Sequence, residues 1–151
     1  MHSVDGMHRS SPLGVVDVVC NGCGWTAKTV KAELPNNAKT VRLISGRKSP
    51  DHSLGISDPR KDVAATGRTV LSIWNQRVNE SLDEHDELRL MVLGRYMEAQ
   101  RFLLFEYEIN RFPANSCQWK IKSRGNLEGI ETTTDCHCFT WQPHGSQFMV
   151  I

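Results

Sequence analysis

Asp17 and Lys28 are the residues with most to offer a reaction. They bound the segment Asp17-Val-Val-Cys-Asn-Gly-Cys-Gly-Trp-Thr-Ala-Lys28. Asn21-Gly22 supplies a tight turn, and residues on both sides of it read as strands, so the hairpin they form brings Asp17 and Lys28 close together. A carboxylate there can hold a magnesium ion at a scissile phosphate. The ammonium beside it can position the attacking water or offset charge developing on phosphorus. The same spacing also suits an Asp that accepts backbone bonds near a strand end beside a solvent-facing Lys.

In this segment the chain resembles the PD-(D/E)XK nuclease superfamily, in its divergent type II restriction endonuclease-like form. Asp17 matches the first acid of the signature, and Thr26-Ala27-Lys28 occupies the second element with Thr26 in place of an acid. Trp25-Thr26-Ala27-Lys28-Thr29 looks like the W-(S/T)-x-K-T variant, in which a Glu elsewhere restores the metal site. The resemblance implies Mg2+ at Asp17, Lys28 as its charged assistant, Thr26 as a site residue, and phosphodiester hydrolysis in duplex DNA. It covers roughly Leu13 to Arg47. Either the missing acid comes from downstream, Glu33 or Glu80, or the chain is a shortened or inactive member.

Other residues suit contact with DNA. Ser45, Arg47 and Lys48 stand on a loop shaped by Gly46 and Pro50, and hydroxyls and cations of this kind bind phosphate oxygens. Lys31, Arg42, Lys120, Lys122 and Arg124 extend the cationic set. Gln142, His144 and Gln147, set among Phe139, Trp141 and Phe148, carry groups that can read base edges. A hairpin loop with aromatic anchors and local hydrogen bonds explains that last stretch as well.

Five cysteines make an odd set, unlike a disulfide scaffold. The compartment therefore reads as reducing and cytoplasmic. Cys20 and Cys23 with Cys136 and Cys138 allow a four-cysteine Zn2+ site. The alternative function is accordingly a non-catalytic, zinc-stabilised module binding nucleic acid or protein. Buried small hydrophobes are the simpler account of the same cysteines. The acids Glu106 and Glu108 fall on one face of a strand and suit pairing with Arg95 or Arg101.

The formal net charge of the 151 residues is +1, which alone gives no reason to expect nucleic acid. Its distribution does. Residues 21–48 carry six Lys/Arg against Glu33, and residues 111–124 carry four with no acid; eight acids collect between Glu80 and Glu108. Such asymmetry can give a near-neutral protein a phosphate-binding face. No apolar run approaches the roughly 20 residues that span a bilayer, so the partner expected is duplex DNA and not a membrane. Homodimerisation is left open.

These residues need elements to hold them. Leu13–Cys20 and Trp25–Lys31 form the hairpin, and Val41–Ser45 reads as a third strand. Arg47–Arg60 is an irregular loop, after which a helix bearing Val70, Ile73, Trp74 and Val78 at helical spacing follows, with Asp62 as its N-cap or just before it. Leu88–Tyr96 and Phe102–Ile109 read as paired strands, Gln118–Lys122 and Cys138–Trp141 as a further hairpin, and Phe148–Ile151 as a terminal strand. The expected fold is mixed α/β (α+β), one central mixed sheet with a flanking helix and a restriction-endonuclease-like core. It runs as a single domain over 13–151 behind a flexible segment, 1–12.

Overall fold

The computed structural model of the protein describes residues 7–8, 15–33, 40–45, 58–143 and 147–151. The mixed α and β class is as expected. Among the described residues there are ten strands and one long helix. The single central sheet is a correction: the strands form two five-stranded sheets. The chain divides into two compact units, Met1–Lys39 with Gln76–Asn110 and Thr40–Asn75 with Arg111–Ile151, and each contains one sheet.

The first unit orders its strands β1 (Met7–His8), β2 (Val18–Cys20), β3 (Cys23–Ala32), β5 (Glu87–Tyr96) and β6 (Arg101–Glu108). Within the stretch expected to be flexible, Met7 and His8 pair with β2. The β2–β3 hairpin forms around Asn21 and Gly22, whose φ values of 51° and 77° are the left-handed ones a two-residue turn demands. Asp17, expected within the strand, stands one residue ahead of β2. β3 pairs in parallel with β5 from Cys23↔Glu87 to Ala32↔Tyr96, so a crossover must join them. Along β5, Leu88, Leu90, Val92 and Tyr96 alternate into the interior, where Val15, Val16, Val78 and Ile109 are also buried.

The second unit orders its strands β4 (Val41–Ser45), β10 (Gln147–Val150), β9 (His137–Gln142), β8 (Leu127–Glu131) and β7 (Cys117–Ile121). All of these pairings are antiparallel. The hairpin expected between 118–122 and 138–141 is therefore corrected, because β8 lies between them. Leu-Glu-Gly-Ile-Glu contains glycine and two acids, residues depleted in strands, which hid the strand in the composition. With β8 in place, β7 to β10 satisfy one another through short connections. They have no need to extend the first sheet, and this is the physical reason for two sheets.

Helix α1 (Val63–Leu82) gives residues 63–75 to the second unit and 76–82 to the first. Asp62 caps it as expected, its Oδ1 accepting the Ala65 N–H at 2.8 Å. In the second unit Trp74 lies 6.1 Å from Phe148, and Phe139 lies 5.3 Å from Phe148 and 4.8 Å from Phe112. Asn75 fixes the Phe112 segment by a paired amide contact. Its Nδ2 donates to the Phe112 carbonyl at 2.6 Å and its Oδ1 accepts the Phe112 N–H at 2.8 Å.

Gly67 lies under the Trp119 ring, so close that a Cβ would sit 2.2 Å from the indole. In an open helix, Gly→Ala adds about 1 kcal/mol of propensity. Here overpacking reverses the sign, and Gly67→Ala is expected to lower stability by about 1–3 kcal/mol. Urea unfolding followed by tryptophan fluorescence checks this. A variant as stable as the parent would show that the ring does not rest on Gly67.

Candidate functional site

The hairpin brings Asp17, Thr26 and Lys28 together. The Asp17 N–H donates to the Trp25 carbonyl at 2.7 Å, continuing the pairing one residue beyond β2. Its Oδ2 accepts the Thr26 hydroxyl at 2.8 Å and the Ala27 N–H at 2.8 Å, and the Lys28 Nζ stands 3.7 Å away. Thr26 and Lys28 are two residues apart in a strand and share a face. Thr26 is 3% exposed; the Lys28 and Asp17 side chains are 30% and 42% exposed. Asp17 accepts a backbone bond, as the simpler reading has it, and also lies near the lysine, as hairpin geometry leads one to expect. An ion pair this exposed contributes only about 0–1 kcal/mol. Its use is positional, because the two hydrogen bonds orient the carboxylate on which the ammonium rests.

A resident magnesium ion is another matter. Among the described residues no three of His, Cys, Asp and Glu gather into a set able to hold a metal ion. Glu80, one candidate for the missing acid, accepts instead from the Gln76 amide at 2.8 Å, and Glu33 is exposed just after β3. One carboxylate with an oxygen already in two hydrogen bonds does not fit a protein-held Mg2+. The chemistry available is that of Asp17, Thr26 and Lys28 themselves.

The four cysteines of the zinc arrangement divide between the two units, and among the described residues they form no metal-holding group. Cys20 and Cys23 face each other across the hairpin of the first unit, while Cys136 and Cys138 belong to the second. Burial pushes the Cys23 thiol up, with Glu87 adding to the effect. Burial, and then Glu131, does the same to Cys138. Burial also raises Cys117. In the metal-free chain, thiols so raised are poor nucleophiles.

The residues expected to contact DNA are brought together in part. In the second sheet Ser45, Gln147 and Gln142 fall in one row across β4, β10 and β9. Arg42, Met149, Thr140, Glu128 and Lys120 form another row across all five strands. The intervening residues Phe148, Trp141, Leu127 and Trp119 are buried, so alternation places Gln142, Gln147, Arg42 and Lys120 on the opposite, polar face. Lys122 is engaged there by Glu128 at 2.8 Å. Arg124 is exposed in a tight turn at φ 68°. Arg47, Lys48 and His144 lie outside the described residues, as does most of the Arg47–Arg60 loop.

The structure gives two cations, Arg95 and Arg68, surroundings that the sequence reading did not assign them. Arg95 stands opposite Lys31 in the β3–β5 ladder, both exposed, a like-charge pair that parallel register alone reveals. Arg68 joins Lys120 on the wall of a cleft of about 400 Å3 that Trp119 and Cys117 also line. The acids of β6 were expected to pair with Arg95 or Arg101. Glu106 instead pairs with Arg89 at 3.2 Å.

Comparison with protein-family models, curated proteins and solved structures finds no match to the chain.

The Asp17 contacts separate shape from charge. Asp17→Ala leaves the buried Thr26 hydroxyl without its acceptor and is expected to cost about 1–3 kcal/mol. Asp17→Asn retains an acceptor oxygen and is expected to cost under about 1 kcal/mol. Thermal unfolding of the two variants checks the difference, and equal losses would mean that Asp17 does not hold the hairpin through Thr26 and Ala27.

Proposed function

We propose that this protein acts on the phosphodiester backbone of duplex DNA, hydrolysing it at the Asp17–Thr26–Lys28 cluster, as the nuclease superfamily that its hairpin resembles would do. The observation that carries the reading is the convergence of these three side chains, at 2.8 and 3.7 Å, on one hairpin. In the hydrolysis a water oxygen attacks phosphorus and gives up its proton, while the bond from phosphorus to the sugar oxygen breaks and that oxygen leaves as a hydroxyl, taking a proton from solvent water. Asp17 is exposed enough to meet that water and is held in orientation by Thr26, which suits a general base. The Lys28 Nζ, 3.7 Å from that carboxylate, stands where it can offset the negative charge that grows on the phosphoryl oxygens.

The polar face of the second sheet supports the same partner. Arg42 and Lys120 suit phosphate oxygens, and the paired amides of Gln142 and Gln147 suit base edges. Lys31 and Arg95 add a second concentration of positive charge, in the first unit, where an anionic ligand would relieve their repulsion.

The test is nicking of supercoiled plasmid DNA, with and without added Mg2+ or Mn2+, scored on agarose gels beside a DNA-retention assay. The parent is expected to nick. Asp17→Asn and Lys28→Met are expected to lose at least about 100-fold in rate while keeping the parent's thermal transition and DNA retention. A parent that never nicks under any of these conditions, or variants as active as the parent, would overturn the assignment. Retention of DNA without nicking would leave the polar face of the second sheet as a binding surface alone.

A further inference from the structure

Among the described residues nothing covers the outer strand of the first sheet. Among the described residues β6 pairs with β5 alone, and all eight of its residues are exposed. Phe102 is 64% exposed, Leu104 63%, Tyr107 54%, Phe105 40% and Leu103 38%. Edges of this length are normally shielded by charge, proline, a bulge or a covering segment. Here Phe-Leu-Leu-Phe occupies the middle of the strand.

The direction of the unpaired groups follows from the ladder. The Ile109 N–H donates to the Leu88 carbonyl at 2.9 Å, in step with the register Arg89↔Glu108 to Tyr96↔Arg101. Hydrogen-bonded pairs alternate in an antiparallel ladder, so residues 101, 103, 105 and 107 direct their backbone groups to β5. Phe102, Leu104, Glu106 and Glu108 direct theirs outward.

We infer that β6 pairs with β6 of a second copy of this chain, antiparallel, with the two-fold axis at Phe105. That register sets the four outward residues against the same four, Phe102 with Glu108 and Leu104 with Glu106, so each outward N–H and C=O gains a partner. On one face Leu103, Phe105 and Tyr107 meet Tyr107, Phe105 and Leu103 of the second copy, extending the contact that already stacks Phe105 on Tyr107 at 6.5 Å. On the other face the acids lie against Leu104 and Phe102.

Charge selects this occupant. The strand is basic at one end, where Arg101 lies near Arg95, and acidic at the other, where Glu106 and Glu108 stand. An antiparallel copy brings each basic end beside an acidic one. A parallel copy would set the glutamates beside each other, which is destabilising.

Sedimentation equilibrium of the full chain over a range of concentrations tests the pairing. The parent is expected to give twice the 17.1 kDa chain mass, and Leu104→Lys to give 17.1 kDa with an unchanged circular dichroism spectrum. Phe105→Cys reads the register without depending on that variant. Under copper-phenanthroline oxidation it is expected to form a covalent dimer at least ten-fold faster than the parent or Gln118→Cys, which introduces its thiol in the second unit. A parent of chain mass at every concentration, an open-ended assembly, a dimer that survives in folded Leu104→Lys, or no accelerated cross-link at Phe105→Cys would overturn it.

Discussion

The parallel ladder between β3 and β5 is the constraint on which the first unit depends. It runs through ten register pairs from Cys23↔Glu87 to Ala32↔Tyr96, and it gives β3 its second neighbour. With β2 on one side and β5 on the other, β3 becomes an interior strand, and Thr26 beside Leu90 becomes buried. A buried hydroxyl needs a partner. Asp17 supplies it, and so the orientation of the carboxylate follows from a pairing formed on the far side of the strand. The same ladder places β5 where β6 can join it and sets Arg95 opposite Lys31.

How much of this was readable in advance depends on whether a feature is local. The hairpin was legible because Asn21-Gly22 names its turn and the flanking residues alternate. Asp62 announced α1, and the apolar alternation of Leu88 to Tyr96 announced β5. The nearness of Asp17 and Lys28 was legible on the same grounds, since hairpin geometry is set by the turn. The parallel pairing of β3 with β5 was not, because residues 33–86 intervene and no local signal records which strands will meet. β8 was hidden by its glycine and its two glutamates, and with it went the second sheet. Asn75 illustrates a further limit: nothing in the sequence distinguishes a helical amide in solvent from one that fastens a distant segment, yet it holds Phe112 by two hydrogen bonds.

The candidate site shows the same division between what a hairpin can bring together and what it cannot. Thr26, Ala27 and Lys28 all reach Asp17 because they lie within one turn and its strands. A second carboxylate would have to come from a different element, and among the described residues none completes a metal-holding set. The cluster is consequently one of mixed charge, an acid and a base in contact, in which the hydroxyl fixes the acid.

The contrast between local and distant contacts has a consequence for synthesis. Asp17 and Thr26 are nine positions apart, so their contact can form as soon as the turn at Asn21-Gly22 has left the ribosome. The β3–β5 ladder must wait until Glu87 to Tyr96 have been made. During that interval the outer side of β3 lacks its neighbour, and the nascent hairpin is shielded on one edge alone. Closing a long loop is slow relative to hairpin formation. The Asp17–Thr26 contact is thus available early, but it is fixed only when the later half of the unit arrives and buries Thr26.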